Sequence, residues 1–215
     1  MGIEDIKWFH SIRLGDVVTP GVKTTQALNY EADNYFQGDV VRGKSMLDIG
    51  AWDGFMSFEA ERRGASRVVA SDYFCWDGPG WGTKAGFDFA RQALGSSVEE
   101  LKADVFDLDP AAHGQFDVVL MPGVIYHLTD PWGGLKRAAD LARELLIVET
   151  HTAMNDCAEP AMRYWVGAEL NGDPTNFWSP NEAGLRGMLT DIGFTRIETA
   201  IHNRGTNRLI ARAWR

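Results

Sequence analysis

The sequence is poor in cysteine, in long hydrophobic runs and in basic residues near its start, and each shortage excludes a class of protein. Its two cysteines, Cys75 and Cys157, are too few for a disulfide framework and belong to no paired metal-ligand motif. The hydrophobic runs extend for only a few residues, so no segment is expected to span a bilayer. Residues 1–5 lack the basic and apolar stretches of a secretory signal. We therefore predict a cytoplasmic protein with reduced cysteines, no membrane partner and no metal site.

Positive charge is scarce along the whole chain. There are 21 Lys and Arg residues against 30 Asp and Glu residues, which gives a formal net charge of −9. Proteins that neutralise many phosphates usually carry a basic surplus or a basic stripe. The densest basic positions, 62–63 and 136–137, lie on predicted helix faces, where a solvated role is expected. The charge favours a small-molecule partner over a nucleic acid and leaves the oligomeric state open.

The chain has the composition of a globular domain. Its 215 residues are 45% hydrophobic and 24% charged, close to the averages for such proteins. No internal repeat, low-complexity segment or linker interrupts it. We predict a single domain over residues 1–215, with an N-terminal cap at 1–42, a cofactor-binding core at 43–151, a lid insertion at 152–180, and a closing helix and strands at 181–215.

Strand and helix patterns alternate in the central part of the chain. Short apolar runs predict strands at 45–50, 67–72, 116–121 and 144–149, and a less apolar stretch at 100–104 predicts one more between the second and third of these. Helical spacing predicts helices between them, at 54–63, 84–94 and about 135–142. Repeated strand–helix units imply a parallel sheet with right-handed crossovers and helices on both faces. The expected fold class is therefore α/β, with a mostly parallel sheet.

The pattern changes after the fifth predicted strand. Residues 151–178 form an irregular, aromatic-rich stretch. Pro180 then suits the first turn of a helix that runs to about Asp191. Two final runs predict strands at 194–201 and 207–214, joined by a turn that Gly205 permits. These closing strands fit an antiparallel edge of the sheet.

Carboxylates and glycines follow the first three predicted strands. In an open parallel sheet, ligands bind beyond the carboxyl ends of the strands. Gly50 permits a tight turn, and Gly54 opens the next helix, so that backbone N–H groups approach a ligand. Asp72 stands 18 residues after Gly54, a spacing that suits bonds to both ribose hydroxyls of a nucleoside. Asp48 precedes the loop, and Asp104 follows the third strand, near an expected adenine edge.

This set of residues resembles class I S-adenosylmethionine-dependent methyltransferases over about residues 43–151. A dinucleotide fingerprint would need glycines where Trp52 and Phe55 stand, so an NAD-dependent dehydrogenase fits poorly. The resemblance implies a Rossmann-like, seven-stranded sheet and S-adenosylmethionine as the cofactor. The predicted cofactor contacts are Asp48, Gly50, Ala51, Gly54, Asp72, Tyr73, Asp104, Val105, Pro122 and Tyr126.

Longer motifs resemble one branch of that class. Residues 116–127, 130–131 and 146–150 are similar to the tRNA wobble-uridine carboxymethyltransferases and their short relatives, as are residues 8–12 and 176–181. In that branch a Tyr, an Arg and a Lys hold the extra carboxylate of carboxy-S-adenosylmethionine. The resemblance places Tyr126 and Arg208 at the first two positions, and His10 on or beside the third. Because a fixed cation is lost there, we expect the plain cofactor, with the carboxylated form as the alternative.

Three residues are candidates for catalysis: His127, Tyr126 and His10. Tyr126 and His127 follow the fourth predicted strand, beside the expected position of the methyl group. A histidine has the intrinsic pKa to accept a proton from a hydroxyl or amine nucleophile. A lone histidine is more often structural, so both interpretations stay open.

Aromatic residues concentrate outside the predicted core strands. Such a lining suits a planar or apolar small molecule with a few polar anchors, although the same rings could cover the sheet edges. The predicted substrate contacts are Trp8, His151, Arg163, Trp178 and Arg208. We predict a methyltransferase for a small aromatic or heterocyclic acceptor. The alternatives are a tRNA wobble-uridine methyl- or carboxymethyltransferase and a non-catalytic S-adenosylmethionine-binding partner protein.

Overall fold

The structure, a computed structural model, describes residues 2–203 and 207–215. The chain divides into two compact units, Met1–Asp107 and Leu108–Arg215. The predicted turn around Gly205 lies outside the described residues. Within them, no helix combines the length and the apolar character needed to cross a bilayer. The predicted single domain and its four segments stay a prediction.

The N-terminal unit holds a parallel group of three strands. Its elements in chain order are β1 (Arg13–Leu14), β2 (Val17–Val18), α1 (Thr25–Tyr35), β3 (Ser45–Ile49), α2 (Phe55–Arg62), β4 (Arg67–Ser71), α3 (Ala85–Leu94) and β5 (Glu99–Leu101). β3 pairs in parallel with β4, Ser45 opposite Arg67, and β4 pairs in parallel with β5. The third strand is shorter than the predicted 100–104 and begins one residue earlier. The carboxyl ends of the three parallel strands point the same way.

Burial explains why these strands form. Four of the five residues of β3 and four of the five of β4 are buried, which fits the near-continuous apolar runs of a parallel sheet. α3 buries Phe87 completely. α1 was not predicted from the sequence; Thr24 caps it, because its side-chain oxygen accepts a bond from the Ala27 N–H.

The C-terminal unit combines parallel and antiparallel pairing. Its elements in chain order are α4 (Pro110–His113), β6 (Phe116–Pro122), α5 (Pro131–Leu141), β7 (Ala142–His151), β8 (Met162–Tyr164), β9 (Trp178–Pro180), α6 (Glu182–Ile192), β10 (Arg196–Asn203) and β11 (Arg208–Trp214). β6 and β7 are parallel, whereas β11 pairs antiparallel with both β7 and β10. β8 and β9 form a separate two-stranded antiparallel sheet.

The strand order confirms the predicted fold class. The main sheet has seven strands in the order β10-β11-β7-β6-β3-β4-β5, mostly parallel with an antiparallel edge. This order is that of a Rossmann-like class I methyltransferase fold. Two local predictions were wrong. Pro180 ends β9 instead of starting a helix, because Asn181 caps α6 by accepting the Gly184 N–H at 2.8 Å. The stretch at 151–178 is not wholly irregular, since it contains β8 and the first residue of β9.

Candidate functional site

The loop after β3 has a tightly constrained backbone. Gly50, Trp52 and Gly54 have φ angles of 81°, 47° and 86°, all in the left-handed region. The N–H groups of Gly50 and Ala51 donate to the Ser71 carbonyl at 2.8 and 3.1 Å. A Cβ at Gly54 would come within 2.6 Å of the Phe87 ring, so glycine is required there on two counts. Tryptophan rarely adopts such a φ angle, so the backbone of Trp52 needs stabilising contacts from neighbouring residues.

Asp72, at the end of β4, supplies part of that support. One carboxylate oxygen accepts the Trp52 N–H at 3.0 Å, and the other accepts the Cys75 N–H at 2.9 Å. Burial raises the pKa of Asp72 although these hydrogen bonds act to lower it. Each oxygen keeps a further lone pair, so the carboxylate that shapes the loop can also accept bonds from a ligand.

Two further buried carboxylates flank the loop. Asp48 accepts a bond from the Ser57 hydroxyl at 2.6 Å, and burial raises its pKa to about 7. Asp53 accepts the backbone N–H groups of both Phe9 and His10 at 2.8 Å, and burial raises its pKa to about 6. Asp53 thus ties the N-terminal segment to the loop. Asp53 was not predicted as a site residue, although its place between Gly50 and Gly54 was a signal available in the sequence.

Several buried polar atoms in the N-terminal unit have no hydrogen-bond partner. They share a location in or beside the loop, and they are His10 Nδ1, Asp48 Oδ1, Trp52 Nε1, Asp53 Oδ1 and Ser71 Oγ. Leaving a buried donor or acceptor unsatisfied costs about 1–3 kcal/mol. Such a cluster of unsatisfied groups is what a polar ligand would satisfy. This set of groups also fits a nucleoside with an amino-acid tail, because it offers carboxylate oxygens, a hydroxyl and an indole N–H.

The aromatic residues of this unit pack mainly against one another. Trp52 stacks on Phe9, with ring centroids 4.2 Å apart and planes 5° apart, and on Trp81 at 5.6 Å. Trp8 is buried, donates its Nε1–H to the Ile3 carbonyl at 2.9 Å and meets Phe89 edge-on. A buried and satisfied ring has no free face for a substrate, which counts against the predicted role of Trp8.

His10 is a poor candidate for a general base. Its ring is buried, and burial together with the charge of Lys23 lowers its pKa to about 3. The imidazole is therefore neutral at pH 7 and too weak a base to hold a proton there. Its place beside the loop, bonded through its backbone to Asp53, is that of a positioning residue.

The predicted contacts after β4 and β5 differ in their exposure. Tyr73 is exposed, whereas Val105 is buried at the start of a short 3-10 turn. Asp104 is half-buried, and one carboxylate oxygen accepts the Phe106 N–H at 3.0 Å. These positions follow the carboxyl ends of parallel strands, as predicted. Their contact with a cofactor stays a prediction.

In the C-terminal unit, Arg208, Glu149 and Tyr126 form one cluster. Arg208 Nη2 donates to Glu149 Oε2 at 2.6 Å, and Nε donates to the other carboxylate oxygen. Arg208 Nη1 donates to the Tyr126 hydroxyl at 3.1 Å, and the guanidinium lies 4.8 Å from the ring centroid. Burial acts to lower the Arg208 pKa, but Glu149 outweighs it and holds that pKa above its usual value.

The rest of this cluster follows from the strand geometry. Glu149 is buried near the end of β7, and Tyr126 lies in a short 3-10 turn after β6. Burial raises the pKa of the Tyr126 hydroxyl, with Arg208 opposing the shift. Pro122 ends β6, and the next residue, Gly123, donates its N–H to the Glu149 carbonyl at 2.9 Å. Glu149 was not predicted as a site residue.

His127 has a defined orientation. Its Nδ1 lies 3.1 Å from the Thr175 carbonyl oxygen and 3.0 Å from the Thr175 hydroxyl. A carbonyl can only accept, so Nδ1 carries the proton in this bond and Nε2 is left as the acceptor. Burial lowers the His127 pKa, which keeps the ring neutral at pH 7. This arrangement suits a general base better than that of His10.

Three other predicted substrate contacts lie in the same unit and have partners of their own. His151 Nδ1 lies 2.9 Å from the Ser179 hydroxyl, which also accepts from Trp165 Nε1 at 2.8 Å. Arg163 lies over the Trp165 ring, 3.7 Å from its centroid. Trp178 is half-buried and donates Nε1–H to the Thr129 carbonyl at 3.3 Å. These bonds connect β7 to β9 and its surroundings, so a structural role is evident for each residue.

No group of three or more metal-ligating side chains is present among the described residues.

A family model described as a methyltransferase domain matches residues 33–199, most of the chain. The chain therefore belongs to this methyltransferase family. The predictions of a class I S-adenosylmethionine-dependent methyltransferase, and of S-adenosylmethionine as its cofactor, are confirmed at the level of the family and its fold.

The curated relatives that match the chain share one name, tRNA U34 carboxymethyltransferase. The tRNA U34 carboxymethyltransferase of Alteromonas mediterranea is 27% identical over 175 residues, which cover 77% of this chain and 49% of that protein. The chain spans about half the length of the curated relatives it matches.

Two solved structures show the likeness in fold. The N-terminal domain of EvdMO1, solved in the presence of SAH and D-fucose, has a TM-score of 0.72 at 20% identity, covering 99% of this chain and 92% of that one. The 1,6-didemethyltoxoflavin-N1-methyltransferase of Burkholderia thailandensis has a TM-score of 0.67 at 18% identity, covering 88% and 79%.

Proposed function

We propose that this protein transfers a methyl group from S-adenosylmethionine to a small-molecule acceptor. The cluster of buried, unsatisfied polar atoms around the loop at 50–54 carries this proposal, together with the carboxylates that follow β3, β4 and β5. A protein that binds no ligand there would bear the cost of those groups without compensation. The family to which the chain belongs supplies the reaction class.

We assign the parts of the cofactor by the chemistry of the residues. Asp72 accepts bonds from the ribose hydroxyls with its free lone pairs, and the backbone of Gly50 and Ala51 approaches the amino-acid tail. Asp48 meets the positively charged amino group, which would keep its carboxylate ionised against the effect of burial. Asp104 and its neighbour Val105 contact the adenine.

The methyl transfer requires little covalent chemistry from the protein. The bound cofactor supplies a methyl group on a sulfonium, so the protein contributes alignment of the acceptor and exclusion of water. The new bond to the methyl carbon forms as the carbon–sulfur bond breaks. When the acceptor begins as a hydroxyl or amine, its proton passes to a base, for which we propose His127 Nε2.

The Arg208 cluster favours the plain cofactor over the carboxylated form. Glu149 already places a carboxylate on two nitrogens of Arg208, so the pair is close to neutral. A second carboxylate would need another cation to offset its desolvation. The position that carries a Lys in the similar tRNA enzymes falls on or beside His10, which is neutral at pH 7. A cofactor without the extra carboxylate meets no such penalty.

A small acceptor is favoured over tRNA by charge. The net charge of −9 opposes binding to a polyanion, because such binding draws its affinity from neutralised phosphates. The tRNA alternative rests on the motif resemblance and on the names of the curated relatives, whose length this chain covers only to about half. The predicted aromatic or heterocyclic nature of the acceptor remains part of the proposal.

Calorimetric titration with S-adenosylmethionine and with its carboxylated analogue tests this proposal. We expect the wild type to prefer the plain form, and Asp72→Ala to lose at least tenfold in affinity for it. Asp77→Ala, an exposed change in the loop after β4, is the matched control and should bind as the wild type does. Preference for the carboxylated form, lost in Arg208→Ala, would make tRNA the substrate to test. Absence of binding to either form would overturn the proposed function.

A further inference from the structure

The C-terminal unit contains a cavity of about 420 Å³ to which none of the predicted site residues except Arg208 contributes. It lies where β7 ends and where α6 and β11 begin. Thr152 and Asn155 line it from the segment after β7, and Glu182 and Arg186 line it from α6. The volume falls within the range of small-molecule sites.

Amide and hydroxyl groups form one wall of the cavity. The Thr152 hydroxyl donates to the Asn207 carbonyl at 3.0 Å and accepts from Asn155 Nδ2 at 3.1 Å. An amide has two N–H donors and an acceptor oxygen, so Asn155 keeps both kinds of group for a ligand after this bond. This wall can therefore both donate hydrogen bonds to a ligand and accept them from it.

Opposite charges lie together on the wall formed by α6. The Thr199 hydroxyl accepts from Arg186 Nη1 at 3.2 Å and donates to Glu182 Oε1 at 2.6 Å. A single bridging hydroxyl thus holds a guanidinium and a carboxylate side by side. Their charges offset each other, which favours a neutral ligand over an ion.

The chemistry of the lining points away from a flat aromatic ligand. None of the described residues that line the cavity is aromatic, so a planar ring would find no stacking partner. A ligand hydroxyl both donates and accepts, which matches amides, a hydroxyl and the charged pair at once. The apolar part of the lining consists of Ala158, Ala183, Ile201 and Leu209.

We propose that this cavity binds a neutral, hydroxyl-rich small molecule, a sugar or a cyclic polyol, and that this molecule is the methyl acceptor. The second half of this inference rests on the proposed function. Arg208 connects the cavity to the predicted cofactor contact Tyr126, because it lines the cavity and also donates to the Tyr126 hydroxyl. In the transfer, an acceptor hydroxyl oxygen bonds to the methyl carbon, the carbon–sulfur bond breaks, and the hydroxyl proton leaves to a base.

The test uses neutral probes and variants that fill the cavity. D-glucose, D-fucose and myo-inositol represent hydroxyl-rich ligands, and catechol represents a planar aromatic one; saturation-transfer NMR detects their binding. Ala183→Phe and Ala158→Trp each fill the cavity, from α6 and from the exposed segment before β8. Ala168→Phe, an exposed change that does not line the cavity, is the matched control.

A second measurement uses a cysteine already present in the cavity. Cys157 is a free thiol that lines it, whereas Cys75 is buried elsewhere. An occupied cavity should slow the alkylation of Cys157 by iodoacetamide, as followed by mass spectrometry of the modified peptide. Melting temperature and S-adenosylmethionine affinity establish that each variant is folded.

We expect at least one hydroxyl-rich probe to bind the wild type and Ala168→Phe, to lose at least tenfold in affinity in both cavity-filling variants, and to protect Cys157. Binding of catechol alone, equal binding in all variants, or no binding of any hydroxyl-rich probe would overturn the inference. Failure of the proposed function has a different signature, since the wild type would then not bind S-adenosylmethionine, whatever the probes do.

Discussion

Arg208 and Glu149 lie diagonally on the paired antiparallel strands β11 and β7 and form a two-pronged ion pair, with Nη2 2.6 Å from Oε2. The pair is mostly buried: 3% of the Glu149 side chain and 21% of the Arg208 side chain are exposed. A guanidinium in this position is already matched with a carboxylate, so its preference among ligands depends on Glu149. This relationship makes cofactor choice a property that single substitutions can change.

Removing the charge of Glu149 should change that choice. In Glu149→Gln, Arg208 keeps its place but has no carboxylate partner. We expect the affinity for carboxy-S-adenosylmethionine, relative to S-adenosylmethionine, to rise at least tenfold, equivalent to about 1.4 kcal/mol. Calorimetry with both forms measures the ratio. Glu99→Gln is the matched control, because Glu99 makes the same two-pronged contact with Arg67 on an exposed surface. An unchanged ratio in Glu149→Gln would contradict the role given to Glu149.

The same pair should contribute to stability in a non-additive way. Removing one partner leaves the other charge buried and uncompensated, which costs about 3 kcal/mol. We expect Arg208→Met and Glu149→Gln each to lower the free energy of unfolding by about this amount. The double variant should lose less than the sum of the two. Urea unfolding of the four proteins measures the coupling, and strict additivity would show that the ion pair is not formed in solution.

The buried Asp48 predicts a pH-dependent stability difference. Its pKa rises from an ordinary 3.8 to about 7 on folding, so the folded state holds a proton that the unfolded state releases in this range. Raising the pH from about 4 to 7 therefore lowers the free energy of unfolding. Asp48→Asn cannot ionise and still accepts a bond from Ser57. Its stability relative to the wild type should rise by up to about 4 kcal/mol between pH 4 and pH 8.

Urea unfolding across this pH range measures that difference. Asp191→Asn, an exposed substitution near the end of α6, should show no comparable change relative to the wild type. A stability difference for Asp48→Asn that is independent of pH would show that Asp48 is ionised in the folded protein without a ligand. Saturating S-adenosylmethionine should reduce the difference, because its amino group would stabilise the Asp48 carboxylate.

His127 predicts a pH profile for turnover of a hydroxyl acceptor. Burial lowers its pKa below the ordinary 6.5, so the neutral, proton-accepting form prevails at pH 7 and above, and activity should fall only at a pH below that ordinary value. His127→Gln should lower kcat by about 10²–10⁴-fold at pH 7.5. His113→Gln, on the short helix α4, is the control and should retain activity. An unaltered kcat and pH profile in His127→Gln would exclude it as the base.

The sequence was most informative where the pattern of a strand is continuous. The strands at β3, β4 and β6 were predicted within a residue at each end, because burial on both faces leaves a nearly continuous apolar run. The helix after Asn181 was placed correctly but its start was not. Pro180 is permitted both at the end of an edge strand and in a first helical turn, and the choice depends on its pairing with Met162 in β8.

The residues of the candidate site likewise differ in how far the local sequence predicts them. The loop glycines and Asp72 were predicted as cofactor contacts from their spacing along the chain, and that role stays a prediction. The structure brings Asp72 to the loop, where it accepts the Trp52 N–H. Glu149 and Arg208 are 59 residues apart, and their contact requires the antiparallel register of β7 and β11. Nothing local signals that register. The cavity residues come from three such distant segments, so their common lining was equally hidden.

The sequence by itself determined the alternation of strands and helices, and with it the strand ends at which the loop and the carboxylates gather. Only the tertiary structure decided which charges are paired, which rings are buried and where a cavity remains. The physical reason is the range of the interactions. Backbone conformation and periodic burial depend on nearby residues, whereas ion pairs and cavities depend on how distant strands and helices pack against one another.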